Sequence, residues 1–254
     1  KTQMVLVDQA VVSGANFLVG LLLGRFLGPS GFGQFTLTYN LILLASGIQM
    51  ALISAPMQVI GPQRGTANEA AYYRCALQLQ IAFSLLLGLA AVSALHVLAR
   101  LYPEWGLAGL ALPVAAASMT FVAQDFLRRY LIARNDTVTA LISDAGTYGL
   151  RVLLLATLGW GVGLHAHSAF WLIALSCLIG VAAFALRPRW WTEVGPLDRH
   201  ELRVTSKEHW RTGKWLLADT VVYWFGGQML VIYVAGHLLS ADAVGKITAA
   251  MNVV

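Results

Sequence analysis

Of the 254 residues, 58% are apolar and only 11% are charged, against roughly 45–50% and roughly 25% in soluble domains. So few charges cannot cover a water-soluble globule of this length, which excludes a soluble single-core enzyme. The net charge of +5 does not signal nucleic acid either, because the basic residues are spread between apolar runs instead of gathered on one face.

Lipid is the solvent that suits such a chain. No Asp, Glu, Lys or Arg occurs in 26–63, 76–99, 105–124, 152–186 or 220–241, and about 20 apolar residues span a hydrocarbon core. In chain order the pattern predicts helices over 8–27, 32–60, 75–98, 105–129, 138–160, 165–187 and 213–237, with an eighth beginning near Ala243. Gly28, Pro29 and Gly31 make the first turn, and Pro62, Pro103, Pro188 and Pro196 punctuate later loops. Pro56 and Pro113 fall inside runs and predict kinks, tolerated where a neighbouring helix satisfies the freed carbonyl. The fold class is an all-α polytopic transmembrane bundle.

Placing the N-terminus in the cytoplasm gathers most cations on the inner side, including Arg64, Arg74, Arg128, Arg129, Arg134, Arg187, Arg203, Lys207 and Lys214, and leaves Arg100 in an outer loop. Tyr102, Trp105, Trp190, Trp191, Trp210 and Trp215 stand at span ends, where an aromatic belt is expected. The longest loop, over 188–212, mixes charge with tryptophan and is expected along the inner leaflet, as a linker or a gate. It is too short for a catalytic domain. Lacking an initiator Met and ending in an apolar run, the sequence reads as a fragment.

Charges inside spans are costly and are candidates for function by default. Asp144 and Arg151 share one face of the fifth span, seven residues or about 10 Å apart. Arg151 could grip a phosphate or pyrophosphate by paired hydrogen bonds, or form an internal ion pair with Asp144. Asp144 is alternatively a site for a coupling proton or sodium ion. Arg25 either snorkels to the interface or contacts an anion at a cavity mouth. Asp8 and Asp219 suit helix caps, and Asp125 pairs with Arg128 and Arg129. Asn16, Asn40, Gln78, Gln124 and Gln228 could bind sugar hydroxyls or bridge helices. Cys75 and Cys177 have no partner at metal spacing, and His165 with His167 lacks a third ligand, so neither metal nor cofactor is expected.

An offset of 212 residues lays the seventh and eighth spans on the first and second. Identities are Gly14/Gly226, Leu18/Leu230, Val19/Val231, Gly24/Gly236, Leu27/Leu239, Gly33/Gly245, Thr36/Thr248 and Asn40/Asn252, with Asn16 on Gln228. Six intervening helices bring both copies in from the same side, as parallel repeats about an axis near the membrane normal.

The segment Leu22 to Phe35, LLGRFLGPSGFGQF, resembles the first hairpin of bacterial O-antigen-type polysaccharide flippases of the multidrug/oligosaccharidyl-lipid/polysaccharide exporter superfamily, and Ala235 to Gly245 is similar to the hairpin opening their second lobe. The resemblance implies a six-helix lobe over 1–187, an interlobe loop over 188–212 and the first hairpin of a second lobe over 213–254. It also implies alternating access to a lipid-linked (undecaprenyl-pyrophosphate) oligosaccharide in a bacterial inner membrane, beside polysaccharide-assembly proteins. Arg151, Arg25, Asn16 and Gln228 are then the substrate-binding candidates and Asp144 the ion-coupling one. Alternatives are a cation-coupled multidrug antiporter of the same superfamily, which an acidic cavity would suit better, and a membrane polymerase or acyltransferase, which would need a large outer loop.

Overall fold

In the computed structural model, which describes residues 2–64, 66–185 and 198–251, the first two spans form one helical stretch, α1 (Thr2–Gln49), broken at Gly28 with φ 65° and ψ 173°. A straight helix of 48 residues would run about 72 Å, more than twice the hydrocarbon thickness of roughly 30 Å. The chain must therefore be re-aimed. Gly28 accepts the positive φ, and Pro29 behind it disfavours helical geometry at the preceding residue.

α1 passes through a π-helical turn at Met50–Ser54 into α2 (Ala55–Ile60). The cause is Pro56, which has no N–H for the carbonyl of Leu52. His209 supplies the missing donor: its Nδ1 lies 3.2 Å from that carbonyl, and its Nε2 lies 2.8 Å from the Tyr72 hydroxyl. A carbonyl can only accept, so Nδ1 donates, and in the neutral ring Nε2 accepts from Tyr72. The kink expected at Pro56 is thus present as a bulge, with its free carbonyl satisfied from another helix.

Next come α3 (Thr66–Leu101), α4 (Ala111–Ala133), α5 (Thr137–Gly161) and α6 (Ala166–Ala185). Pro113 bends nothing, contrary to expectation, because it lies in the first turn of α4, where its missing N–H would have had no partner. Among the described residues five stretches are long and apolar enough to cross a membrane: Gln9–Gln63, Glu69–Leu101, Thr137–Gly161, Ala166–Ala185 and Arg199–Leu238. α4 is not among them. It packs against α1, α3, α5 and α6, so its surroundings are protein more than lipid, and Gln124, Asp125, Arg128 and Arg129 find partners there.

The loop expected over 188–212 is corrected in its second half. Residues 186–197, with Trp190 and Trp191, lie outside the described residues, but α7 (Arg199–Gly226) begins at once behind Asp198, whose carboxylate caps the N–H groups of His200 and Glu201. Thr205, His209 and Gly213, spaced by four, form the buried face of its first half. A side chain at Gly213 would clash with the carbonyl of Ala51, and Glu208 pairs with Arg64. The single span expected over 213–237 is interrupted at Gly227, in extended geometry, before α8 (Gln228–Leu238). α9 (Ala241–Met251) completes the second hairpin. Among the described residues there is no strand.

The two hairpins meet where the repeat places them. A Cβ on Gly33 would collide with the carbonyl oxygen of Ala241, and one on Gly245 with that of Pro29. Under the 212-residue offset these two contacts are the same contact, with Gly33 on Gly245 and Pro29 on Ala241. Nearby, Trp105 is 3% exposed and donates Nε1–H to the Gly236 carbonyl at 3.0 Å, and the Tyr233 hydroxyl reaches the Leu37 carbonyl at 3.0 Å. Trp105 is therefore a strut between the repeats, not the belt residue expected from its place at a span end.

Two measurements check this packing. His209→Ala should lower thermal stability by about 1–3 kcal/mol, the cost of orphaned buried polar groups. The loss should shrink in a Pro56→Ala background, where residue 56 regains the N–H that Leu52 lacks; equal losses in both backgrounds would refute the pairing. Gly33→Val should pry the hairpins apart, seen as faster labelling of a cysteine placed at Thr36 by a water-soluble maleimide after replacement of Cys75 and Cys177. Gly31→Val, whose added Cβ meets only its own helix at Leu27, should not.

Candidate functional site

Behind the hairpin contact lies a cavity of about 380 Å³. Both halves of α1 contribute Asn16, Leu23, Phe35, Thr36, Tyr39 and Asn40, α5 contributes Arg151, α6 Ile173, α8 Ile232, and α9 Thr248 and Met251. Among the described residues the lining holds one cation and no carboxylate.

Arg151 is placed by the buried stripe of α5, which runs Ala140, Asp144, Thr147, Arg151 and Leu155 at helical spacing. Its side chain is 1% exposed. Nε donates to the Ser176 hydroxyl at 3.2 Å and Nη2 to Cys177 Sγ at 2.9 Å; Ser176 Oγ in turn donates to the Ile173 carbonyl at 2.9 Å. The guanidinium carbon lies 4.8 Å from the Tyr148 ring centre and 6.0 Å from that of Phe121. The rings and the sulfur soften the cost of burial but do not neutralise the charge. Among the described residues no carboxylate forms an ion pair with Arg151.

The internal pair between Asp144 and Arg151, left open by the sequence, is not formed. Asp144 Oδ2 lies 2.7 Å from Arg128 Nε, and its Oδ1 accepts from Gln124 Nε2 at 2.8 Å. A buried carboxylate is tolerable only when paired and hydrogen-bonded in this way. Asp144 does not line the cavity.

Of the other expected site residues, Asn16 lies on the cavity wall. Arg25 is exposed and is not part of this lining. The side chain of Gln228 lies outside those described. Structure adds Thr36, Tyr39 and Thr248 to the lining, with Asn40 beside them. Asn40 Nδ2 and Thr248 Oγ1 are buried without a hydrogen-bond partner among the described residues. A signal for these was present: Thr36/Thr248 and Asn40/Asn252 are the polar identities of the repeat, while Asn252 itself lies outside the described residues.

An unneutralised guanidinium beside unsatisfied amide and hydroxyl groups, enclosed by apolar and aromatic walls, has the chemistry to hold an anion attached to a hydroxyl-rich group.

No protein-family model matches the chain, and no curated protein matches it either. Solved structures do share its fold. A MOP superfamily transporter from Pyrococcus furiosus, described as having a binding pocket of reversed polarity that suggests a different function, is 17% identical with a TM-score of 0.67, over 97% of this chain and 60% of its own. A MATE transporter in a straight conformation is 19% identical at TM-score 0.67, over 97% and 57%. An inward-facing multidrug-resistance MATE transporter is 20% identical at TM-score 0.63, over 94% and 57%. The chain thus shares the all-α fold of these transporter structures and spans under two thirds of their length.

Proposed function

We propose that the chain is the first lobe, with the opening hairpin of the second, of an exporter that flips a lipid-linked oligosaccharide across a bacterial inner membrane by alternating access. The observation that carries this reading is Arg151: a cation buried in the bundle, on a cavity wall, with no acid paired to it among the described residues. Ionised groups persist in such places when a counter-charge arrives with a ligand. A pyrophosphate supplies that charge, and its oxygens match the planar fork of a guanidinium. Asn16, Thr36, Asn40 and Thr248 supply donors and acceptors for sugar hydroxyls, while the lipid tail stays in the bilayer. The undecaprenyl carrier follows from the family resemblance, as do the cytoplasmic N-terminus and the company of polysaccharide-assembly proteins.

A second reading, a cation-coupled multidrug antiporter, draws support from the likeness to MATE transporters and from a buried acid in a span, Asp144. It would require a cationic substrate in a cavity whose charged lining residue is Arg151. The transporter of reversed pocket polarity indicates that this fold tolerates a change in pocket charge.

Two predictions separate the readings. Arg151→Gln should abolish polysaccharide export while protein abundance stays normal, and unchanged export would remove Arg151 from the site. Asp144→Asn should cost stability by weakening its pair with Arg128, and the antiporter reading predicts in addition that wild-type proteoliposomes show proton- or sodium-driven dye efflux that this variant loses. Efflux of cationic dyes without flipping of a pyrophosphate lipid would overturn the first reading in favour of the second.

A further inference from the structure

The first half of α7 carries a feature that the cavity does not use. Its buried face, Thr205, His209 and Gly213, docks against the bulge after α1. At about 100° per residue, Arg199, Arg203, Lys207, Trp210 and Lys214 form a second stripe, roughly 120° around the helix from the first. All five are exposed. Arg199, Arg203, Lys207 and Trp210 share one shallow groove with Leu202 and Ser206. The acids of this segment fall elsewhere: Glu201 and Glu208 lie on the opposite flank of the docked face, and Glu208 is held by Arg64. Among the described residues, Arg199, Arg203 and Lys207 have no carboxylate partner.

Below the stripe the same helix carries Asp219 as its one charge and is otherwise largely apolar, with Leu216, Val221, Val222, Tyr223 and Phe225 all exposed, as in a segment that enters lipid. Trp210 and Trp215, 57% and 73% exposed, lie at the change, and Lys214 Nζ lies 5.4 Å from the Trp215 ring centre. Tryptophan and long cationic side chains at such a boundary mark the headgroup layer. From Trp215 to Lys207 is eight residues, about 12 Å of helix axis, and a lysine or arginine side chain covers much of that span back toward the lipid phosphates.

We infer that the Arg203–Lys207–Trp210 groove on α7 is a docking site for anionic phospholipid headgroups on the membrane face where α7 begins. The paired cations receive the phosphate, the exposed indole lies against the glycerol and upper acyl chain, and the buried face of the helix is held rigidly to the lobe by His209 and Gly213. This site does not depend on what occupies the cavity.

The test reconstitutes the protein in phosphatidylcholine vesicles carrying a minor fraction of brominated phosphatidylglycerol, or the same fraction of brominated phosphatidylcholine. Quenching of Trp210 is obtained by difference from Trp210→Phe. Brominated phosphatidylglycerol should quench it more strongly, and added salt should reduce the excess. Each basic residue near an anionic surface enriches such lipid about fivefold, so Arg203→Gln with Lys207→Gln should lower the enrichment roughly 25-fold. Arg100→Gln, at the far end of α3, should preserve it. Equal quenching by the two lipids, or an excess that survives the double substitution, would overturn the inference. So would equal quenching accompanied by saturable binding of a polyglutamate peptide, which would assign the groove to an acidic protein.

Discussion

Gly33 and Gly245 allow two backbones to touch where any side chain would keep them apart, and the arrangement of the rest of the molecule follows from that contact. Each glycine faces a carbonyl of the opposite hairpin, Ala241 for one and Pro29 for the other. The interface therefore reads the same from either side, as a two-fold relation between parallel repeats demands. In a bilayer, apolar surface gains little from meeting apolar surface, so close packing and interhelical hydrogen bonds must do the joining. Trp105 to Gly236 and Tyr233 to Leu37 add those bonds beside the glycines. The cavity with Arg151 lies behind this contact, lined by both halves of α1 and by α5, α6, α8 and α9.

The buried charges divide into two kinds. Asp144 is satisfied twice over, by Arg128 and by Gln124, and this triad ties α4 to α5. Gln49 and Gln80, both fully or nearly buried, do similar work among α1, α3 and α4, each also reaching the Val122 carbonyl. Among the described residues Arg151 meets a hydroxyl, a thiol and aromatic faces. The same helix thus carries one ionised group that the fold completes and another that it leaves open toward a cavity. That contrast, two turns apart on one face, is the strongest chemical asymmetry in the molecule.

Much of this was legible in the residues, and the misses have physical causes. The charge-free runs marked the apolar helices, α4 included although it falls short of a membrane-spanning stretch, and the 212-residue offset equated Gly33 with Gly245 without showing that their backbones touch. Asp144 and Arg151 were correctly placed on one face, but spacing along a helix says nothing about which neighbour arrives from another. Arg128 could be found only once α4 and α5 were packed. Trp105 looked like a belt residue because an interfacial tryptophan and one donating to a carbonyl across a repeat have the same sequence signature. α7 was hidden by its composition: a charged amphipathic segment resembles a loop until Thr205, His209 and Gly213 are seen to share a face.

The π-helical turn at Met50–Ser54 has a consequence for phase. It houses one residue more than a regular turn, so every side chain after it is rotated by about 100° relative to an uninterrupted helix. Removing a single residue there would swing Arg64 about a quarter-turn away from Glu208 and withdraw the Leu52 carbonyl from His209. The irregular turn is therefore a register device: it aims the end of the first hairpin at the helix that leads into the second.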